Sequence, residues 1–176
     1  MYTEIKLDIE IKDSDYENQV WSLLKEIPIQ CYVVKSFKTD VLKKLRICSP
    51  NMHLGLLISR RRWNKKKIRS KSLVQSWLGR FKKSRKYDTS KETSDKFDWL
   101  SKQCHELYLS FVSLDISILD DDFLLHAKKL AIEVWPWTIK TKQQLDRMIS
   151  YNVQLVVTDI PDVASEIKKT NIRSER

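Results

Sequence analysis

Glycine is scarce in this sequence: two residues of 176, with only four prolines beside them. Tight turns must therefore be built from Asn, Asp, Ser and Lys rather than from glycine. Cysteine is sparse too. Cys31, Cys48 and Cys104 are odd in number and no two stand as Cys-x-x-Cys, which argues against a disulfide framework or a zinc site and fits a reducing compartment. No apolar run approaches the ~20 residues that a membrane-spanning helix needs. The N-terminal MYTEIKLDIE is charged and alternating, unlike the apolar region of a signal peptide. These absences together set the expectation of a cytoplasmic protein.

What is present is enough for one domain with a real core: 41% of residues are hydrophobic, and six Trp, six Tyr and five Phe supply large side chains to bury. The net charge of +10 is concentrated. From Arg60 to Lys86 there are 13 Lys/Arg and no Asp/Glu, while the other 20 Lys/Arg face 23 Asp/Glu. A basic segment is laid on a domain that is otherwise close to neutral.

Hydrophobic periodicity divides the rest. Tyr2–Lys12 alternates, with Ile5, Leu7, Ile9 and Ile11 on one face, and reads as a strand. Asp13, Ser14 and Asp15 offer N-caps to a helix carrying Val20, Leu23, Leu24 and Ile27, which Pro28 stops. A strand (Ile29–Phe37), a helix (Thr39–Ile47, apolar at Val41, Leu42 and Leu45) and a strand (Met52–Ser59, with Gly55 in its middle) follow. In the basic segment, Leu73, Val74, Trp77, Leu78 and Phe81 fall at helical spacing, and Ser90–Gln103 reads as a further helix with Thr93 or Ser94 as its cap. Alternation then resumes with a strand at Glu106–Leu114 and a capped helix at Leu119–Leu130. A strand at Ala131–Ile139, a helix at Lys140–Asn152 and a strand at Val153–Val157 complete it. A loop at Asp159–Asp162, with Asp162 as N-cap, opens a last helix at VASEIKK. About six strand–helix units in strict alternation predict an α/β protein with a parallel sheet covered by helices.

Several of these stretches carry a family pattern in order and spacing. DIEIK (Asp8–Lys12) precedes VVKSF (Val33–Phe37), then RICSPNMHLGLL (Arg46–Leu57), and far downstream VWPWTIKTKQQLDRMISYNVQLVVTDIPD (Val134–Asp162). The set resembles the glycerophosphodiester phosphodiesterase family. Its members show an apolar-Glu-Ile-Lys strand, a Ser-Phe strand, then Pro and Gly-Leu-Leu. Trp-Thr-Val-Asn follows on the seventh strand and Thr-Asp-x-Pro after the eighth. The resemblance implies a TIM barrel, of which the six units here match strands 3 to 8, a partial barrel. It spans the chain except about Arg60–Gln103. The expected organisation is one domain over residues 1–176, shortened on its N-terminal side, with a basic helical insertion at about 60–103. The departures are specific. The family's His-Arg-Gly, Glu-x-Asp and His-Asp have no counterpart among the 176 residues. Lys140 replaces the Asn after Trp-Thr-Val, and Asn152-Val153-Gln154-Leu155 replaces Gly-Val-Asp-Gly.

The resemblance further implies phosphoric diester hydrolysis in lipid metabolism, with a divalent cation, Mg²⁺ or Ca²⁺, held by carboxylates and two histidines doing acid–base work. It places Glu10 as a metal ligand, Lys12 on the phosphate and Trp137 beside the glycerol of a glycerophosphodiester. Glu4, in the near-duplicate TEIK, is disfavoured by its spacing to the Ser-Phe strand. Read without the family, Glu10 is a solvent-facing strand residue, Lys12 a surface lysine and Trp137 an aromatic plug of a barrel mouth. His53, His105 and His126 stand in none of the family's histidine contexts, so no catalytic residue is assigned. With one carboxylate in place, weak cation binding and little turnover are expected. A sheet missing two adjacent strands has open edges, which a second chain could complete. A different function is carried by Arg60–Lys86: non-catalytic binding of anionic lipid, or of nucleic acid through cations interleaved with Trp63, Trp77 and Phe81. No zinc-finger or RNA-recognition signature accompanies it. The plain alternative is a solvated, partly helical insertion covering the barrel.

Overall fold

A computed structural model describes residues 6–65 and 89–166. Its five strands are β1 (Leu7–Glu10), β2 (Tyr32–Ser36), β3 (Leu54–Ile58), β4 (Phe111–Asp115) and β5 (Glu133–Trp137). Its helices are α1 (Glu17–Leu24), α2 (Thr39–Cys48), α3 (Arg60–Lys65), α4 (Thr89–Leu107), α5 (Asp121–Lys129) and α6 (Lys142–Ser150), with 3₁₀ turns at Ile29–Cys31 and Ile116–Ile118. All strand pairings are parallel and the spatial order is the chain order, β1-β2-β3-β4-β5. A sheet that always steps the same way keeps its helices on one side and curls, as the wall of a TIM barrel does.

The two faces follow from the alternation of side chains. Tyr32, Val34, Leu54, Leu56, Ile58, Val112, Leu114 and Val134 enter the main core with Leu42, Leu45, Leu100, Phe123, Leu145 and Met148 of the helices. The opposite face holds a separate cluster, Val33, Phe111 and Trp135. With both faces covered, β2 and β3 are buried along their whole length, which is why β3 reads as a continuous apolar run. The curl is measured by Phe37 and Trp137. They leave β2 and β5, three strand spacings or about 14 Å apart if the sheet were flat, yet their rings meet edge-on with centroids 6.0 Å apart. The fold is therefore α/β, a partial TIM barrel of five parallel strands.

The sixth expected strand is reduced to one bridge, Ile139 to Thr158. Asn152 takes a left-handed turn (φ 51°) and the Gln154 side chain accepts from Val134 N at 3.2 Å, so a side chain stands where a backbone carbonyl would pair. Pairing resumes only where Val157 N donates to Pro136 O (3.0 Å) and Ile139 N to Val157 O (2.9 Å). Smaller differences have similar causes. The helix expected at Ser90–Gln103 runs from Thr89 to Leu107, which puts Thr93 and Ser94 inside it and delays the next strand to Phe111. No side chain caps α1. Asp15 is left-handed (φ 75°) and pairs with Lys44 at 2.8 Å instead, and Leu23 faces solvent. The α2 face at Val41, Leu42 and Leu45 is as expected; the cap expected on α5 is supplied by Asp120, and Thr141 caps α6. The start of the first strand (Tyr2–Ile5), the amphipathic stretch around Leu73–Phe81 and the end of VASEIKK lie outside the described residues.

Three helices end in the same way. A left-handed residue follows each of α4, α5 and α6 within two positions: Tyr108 (φ 47°) directly, and Ala131 (φ 51°) and Asn152 (φ 51°) after the right-handed Leu130 and Tyr151. Each time that residue's N–H and the following one return to helix carbonyls: Tyr108 to His105 and Leu109 to Cys104, Ala131 to Lys128 and Ile132 to Ala127, Asn152 to Ile149 and Val153 to Met148. These are Schellman motifs built without glycine. Arg46 closes the first one further, donating to Leu107 O at 3.0 Å and to Tyr108 O at 2.8 Å.

Candidate active site

Loops leaving the C-terminal ends of the strands form the rim where barrel active sites lie. At β1 that rim carries Glu10, the last strand residue, and Lys12 two residues on. Both are exposed and on the same side of the strand. The backbone between them is fixed twice: Ile11 N donates to Lys35 O (2.9 Å), and Ile11 O accepts from Ser36 Oγ (2.7 Å). Ser36 Oγ also accepts from Lys38 N at 3.1 Å, so this buried serine works as a strand-end clasp. Lys35, in register with Glu10, is buried in the interior and donates to Asp8.

Across the rim, Trp137 ends β5, and its peptide bond to Thr138 is cis. Its indole Nε1 is enclosed and has no hydrogen-bond partner among the described residues. Phe37 bridges the two sides, since it follows Ser36 and meets the Trp137 ring. Asp115, in register with Trp137, accepts from Ser117 N at 2.9 Å and caps the turn after β4. One layer down, the Ser113 hydroxyl is fully buried and also unpartnered among the described residues. At the same level, Trp135, in register with Ser113, stacks on Phe111 (3.7 Å between centroids) and donates from Nε1 to Glu133 at 2.9 Å. The aromatic plug of the interior is thus Trp135, with Trp137 above it at the rim.

In Thr158–Asp162 the Thr158 hydroxyl donates to Ile139 O (3.0 Å) and accepts from Ile160 N (3.0 Å). The helix that follows begins at Pro161, a favoured first position, so Asp162 lies inside its first turn and is not the cap.

None of the three histidines reaches the rim. His53 is exposed just before β3. His105 and His126 ride on α4 and α5. His126 stacks on Phe97 (4.3 Å) and lies 3.0 Å from Ser101 Oγ. Burial, helped by Lys129, holds its pKa below the ordinary histidine value. The Cys104 thiol is pushed up to about 12 by burial, which removes it as a nucleophile near neutral pH.

A hard divalent cation takes six or more oxygen ligands. Among the described residues no three His, Cys, Asp or Glu converge on one point, and the nearest carboxylate on Glu10's side of β1, Asp8, is bonded to Lys35. The donors present do not fit a resident Mg²⁺ or Ca²⁺.

The basic segment begins on the same rim. α3 follows the C-terminal end of β3 and packs on the turn Ile116–Ile118 after β4. Trp63 sits against Phe97 (5.8 Å) and Phe123 (5.5 Å), and Arg62 lies over the Trp99 ring at 5.8 Å. Residues 66–88 lie outside the described residues. No described helix is long and apolar enough to cross a membrane.

The sequence reading placed Glu10, Lys12 and Trp137 at strand ends and left Lys35 unassigned. VVKSF alone carries no sign that its lysine turns inward, because a buried lysine and an exposed one alternate identically.

Comparison with curated proteins returns no match. Among solved structures, a glycerophosphodiester phosphodiesterase from Parabacteroides distasonis superposes with a TM-score of 0.63 at 16% identity, over 96% of this chain and 59% of that one. An Oleispira antarctica phosphodiesterase in complex with its product sn-glycerol-3-phosphate gives 0.62 at 15% identity, over 93% and 55%. At such identities the likeness shows the fold, and the chain spans only 50–59% of the length of the first structures it matches. The sequence itself matches the model of the glycerophosphoryl diester phosphodiesterase family over residues 3–163, so the chain belongs to that family.

Proposed function

We propose that this chain recognises the phosphate and glycerol of a glycerophosphodiester, as part of phosphoric diester hydrolysis in lipid metabolism. Glu10 stands at a metal-ligand position by descent, Lys12 binds the phosphate, and Trp137 lies beside the glycerol. The observation that supports this best is the clasped end of β1, which holds Glu10 and Lys12 on one side while Phe37 links that corner to Trp137. Cleavage needs an acid to protonate the leaving alkoxide and a base or nucleophile to attack. The 176 residues place no histidine at the rim, and the donor set does not hold a cation. Binding without efficient turnover is the expected behaviour of this chain. A cytoplasmic setting belongs to the same reading, supported by three free cysteines.

Calorimetry with sn-glycerol-3-phosphate tests the binding. Losing one charged hydrogen bond of about 1.5–3 kcal/mol should weaken it at least tenfold in Lys12→Ala. A glycerophosphodiester assay with Mg²⁺ or Ca²⁺ should stay near background. Clear turnover that disappears in Glu10→Gln would falsify the inactivity.

A second reading rests on the placement of the basic segment. It leaves the rim through α3 and returns through α4. At about 28 Å that helix outruns β4, which spans roughly 16 Å. A run of cations whose described flanks, α3 and the start of α4, stand at the rim suits an anionic lipid surface. A second chain paired along β1 is a further reading, supported by the exposure of Leu7 (46%) on that strand.

A further inference from the structure

The β1 corner that carries Glu10 also carries a buried ammonium that no role above uses. Lys35 stands in register with Glu10, is 7% exposed, and donates to Asp8, two residues before Glu10 on the same side of β1. A desolvated lysine persists only where an anion compensates it, and β1 presents two carboxylates on this face, Asp8, which Lys35 bonds, and Glu10, its register neighbour. A divalent cation at Glu10 would need further oxygen ligands, and the one suitably placed, Asp8, already serves Lys35. It would also face a fixed positive charge carried by the neighbouring strand, in an interior that screens poorly.

We infer that Lys35 is the resident counter-ion of the β1 carboxylates and that it keeps Mg²⁺ and Ca²⁺ off Glu10. This rests on the assignment of Glu10 to a metal-ligand position. It makes the corner cation-independent and names Lys35 as the cause. The competing explanation, that Lys35 does no more than satisfy Asp8, predicts that removing the ammonium changes stability without creating any response to metal.

Thermal unfolding of the full chain in EDTA, millimolar CaCl₂ and millimolar MgCl₂ separates these. The wild type should melt at the same temperature in all three. Lys35→Gln should melt lower in EDTA and gain a Ca²⁺-dependent rise. Glu10→Gln in that background should abolish the rise, and Lys35→Arg should remain unresponsive. A wild-type rise that Glu10→Gln removes, or a folded Lys35→Gln that ignores Ca²⁺, overturns the inference. Where Lys35→Gln does not fold, Tb³⁺ luminescence sensitised by tryptophan decides. Equal emission from wild type and Glu10→Gln supports the inference, and emission lost only in Glu10→Gln overturns it. Wild-type binding of sn-glycerol-3-phosphate in EDTA is expected too. Binding that requires Ca²⁺ overturns the inference and leaves the Glu10 assignment standing. No binding with or without Ca²⁺ overturns both.

Discussion

Gly55 has no side chain because the Phe111 ring occupies the place of one: a Cβ built there would fall on the ring edge. The ring cannot swing away, since Trp135 stacks on its other side. Gly55→Ala therefore overpacks a filled interior, and a loss of about 1–3 kcal/mol is expected, read as a lower urea midpoint. In a Phe111→Leu background the same substitution should cost markedly less, because the two sites share one volume. The sequence shows a glycine in mid-strand but not its reason, which lies on a strand more than fifty residues later. The site was legible to a similar degree. Glu10, Lys12 and Trp137 could be placed because strand-end motifs carry their own spacing. Lys35, Phe37 and the Ser36 clasp depend on partners across the sheet.

At the scale of elements, the shortage of glycine has a thermodynamic mark. A non-glycine residue in the left-handed region costs roughly 1–2 kcal/mol, and the chain accepts this at Tyr108, Ala131 and Asn152. Asn tolerates the conformation best and alanine gains nothing from it. Ala131→Gly should raise stability by about 0.5–1 kcal/mol after glycine's extra chain entropy is deducted, seen as a higher melting temperature with an unchanged denaturant slope. Two of these turns explain where strand and helix boundaries differ from the sequence expectation. Leu107 and Leu109 continue an apolar pattern straight through the end of α4, and no glycine punctuates it. Val153–Val157 has strand composition, but a left-handed Asn152 and the diverted Gln154 side chain leave only Thr158 bridged. Strands buried on both faces, and helices with side-chain caps, were readable because burial and capping write directly into the local sequence.

For the whole molecule, parallel α/β architecture followed from strict alternation, and the partial barrel from the order of the motifs. The amount of curl did not, since it is set by contacts such as Phe37 with Trp137. Charge is also a property of the whole: the excess of positive charge comes from one segment whose described flanks lie at the rim. Co-sedimentation with phosphatidylserine vesicles should fall at least about tenfold when residues 66–86 are deleted, at roughly 1 kcal/mol per basic residue near the surface. It should also weaken with salt over a Debye length of about 8–10 Å. Undiminished vesicle binding would remove the lipid reading, and preferential retention on single-stranded RNA would replace it with the nucleic-acid one.

Chain-order pairing has one further consequence, for the time course of folding. Each strand pairs only with its neighbours in sequence, so the sheet can assemble stepwise, with the longest closure between β3 and β4. Phe37 and Trp137 meet across a hundred residues. The corner holding Glu10 and the wall holding Trp137 are therefore built separately, and the cleft between them takes shape only when the sheet between them is complete.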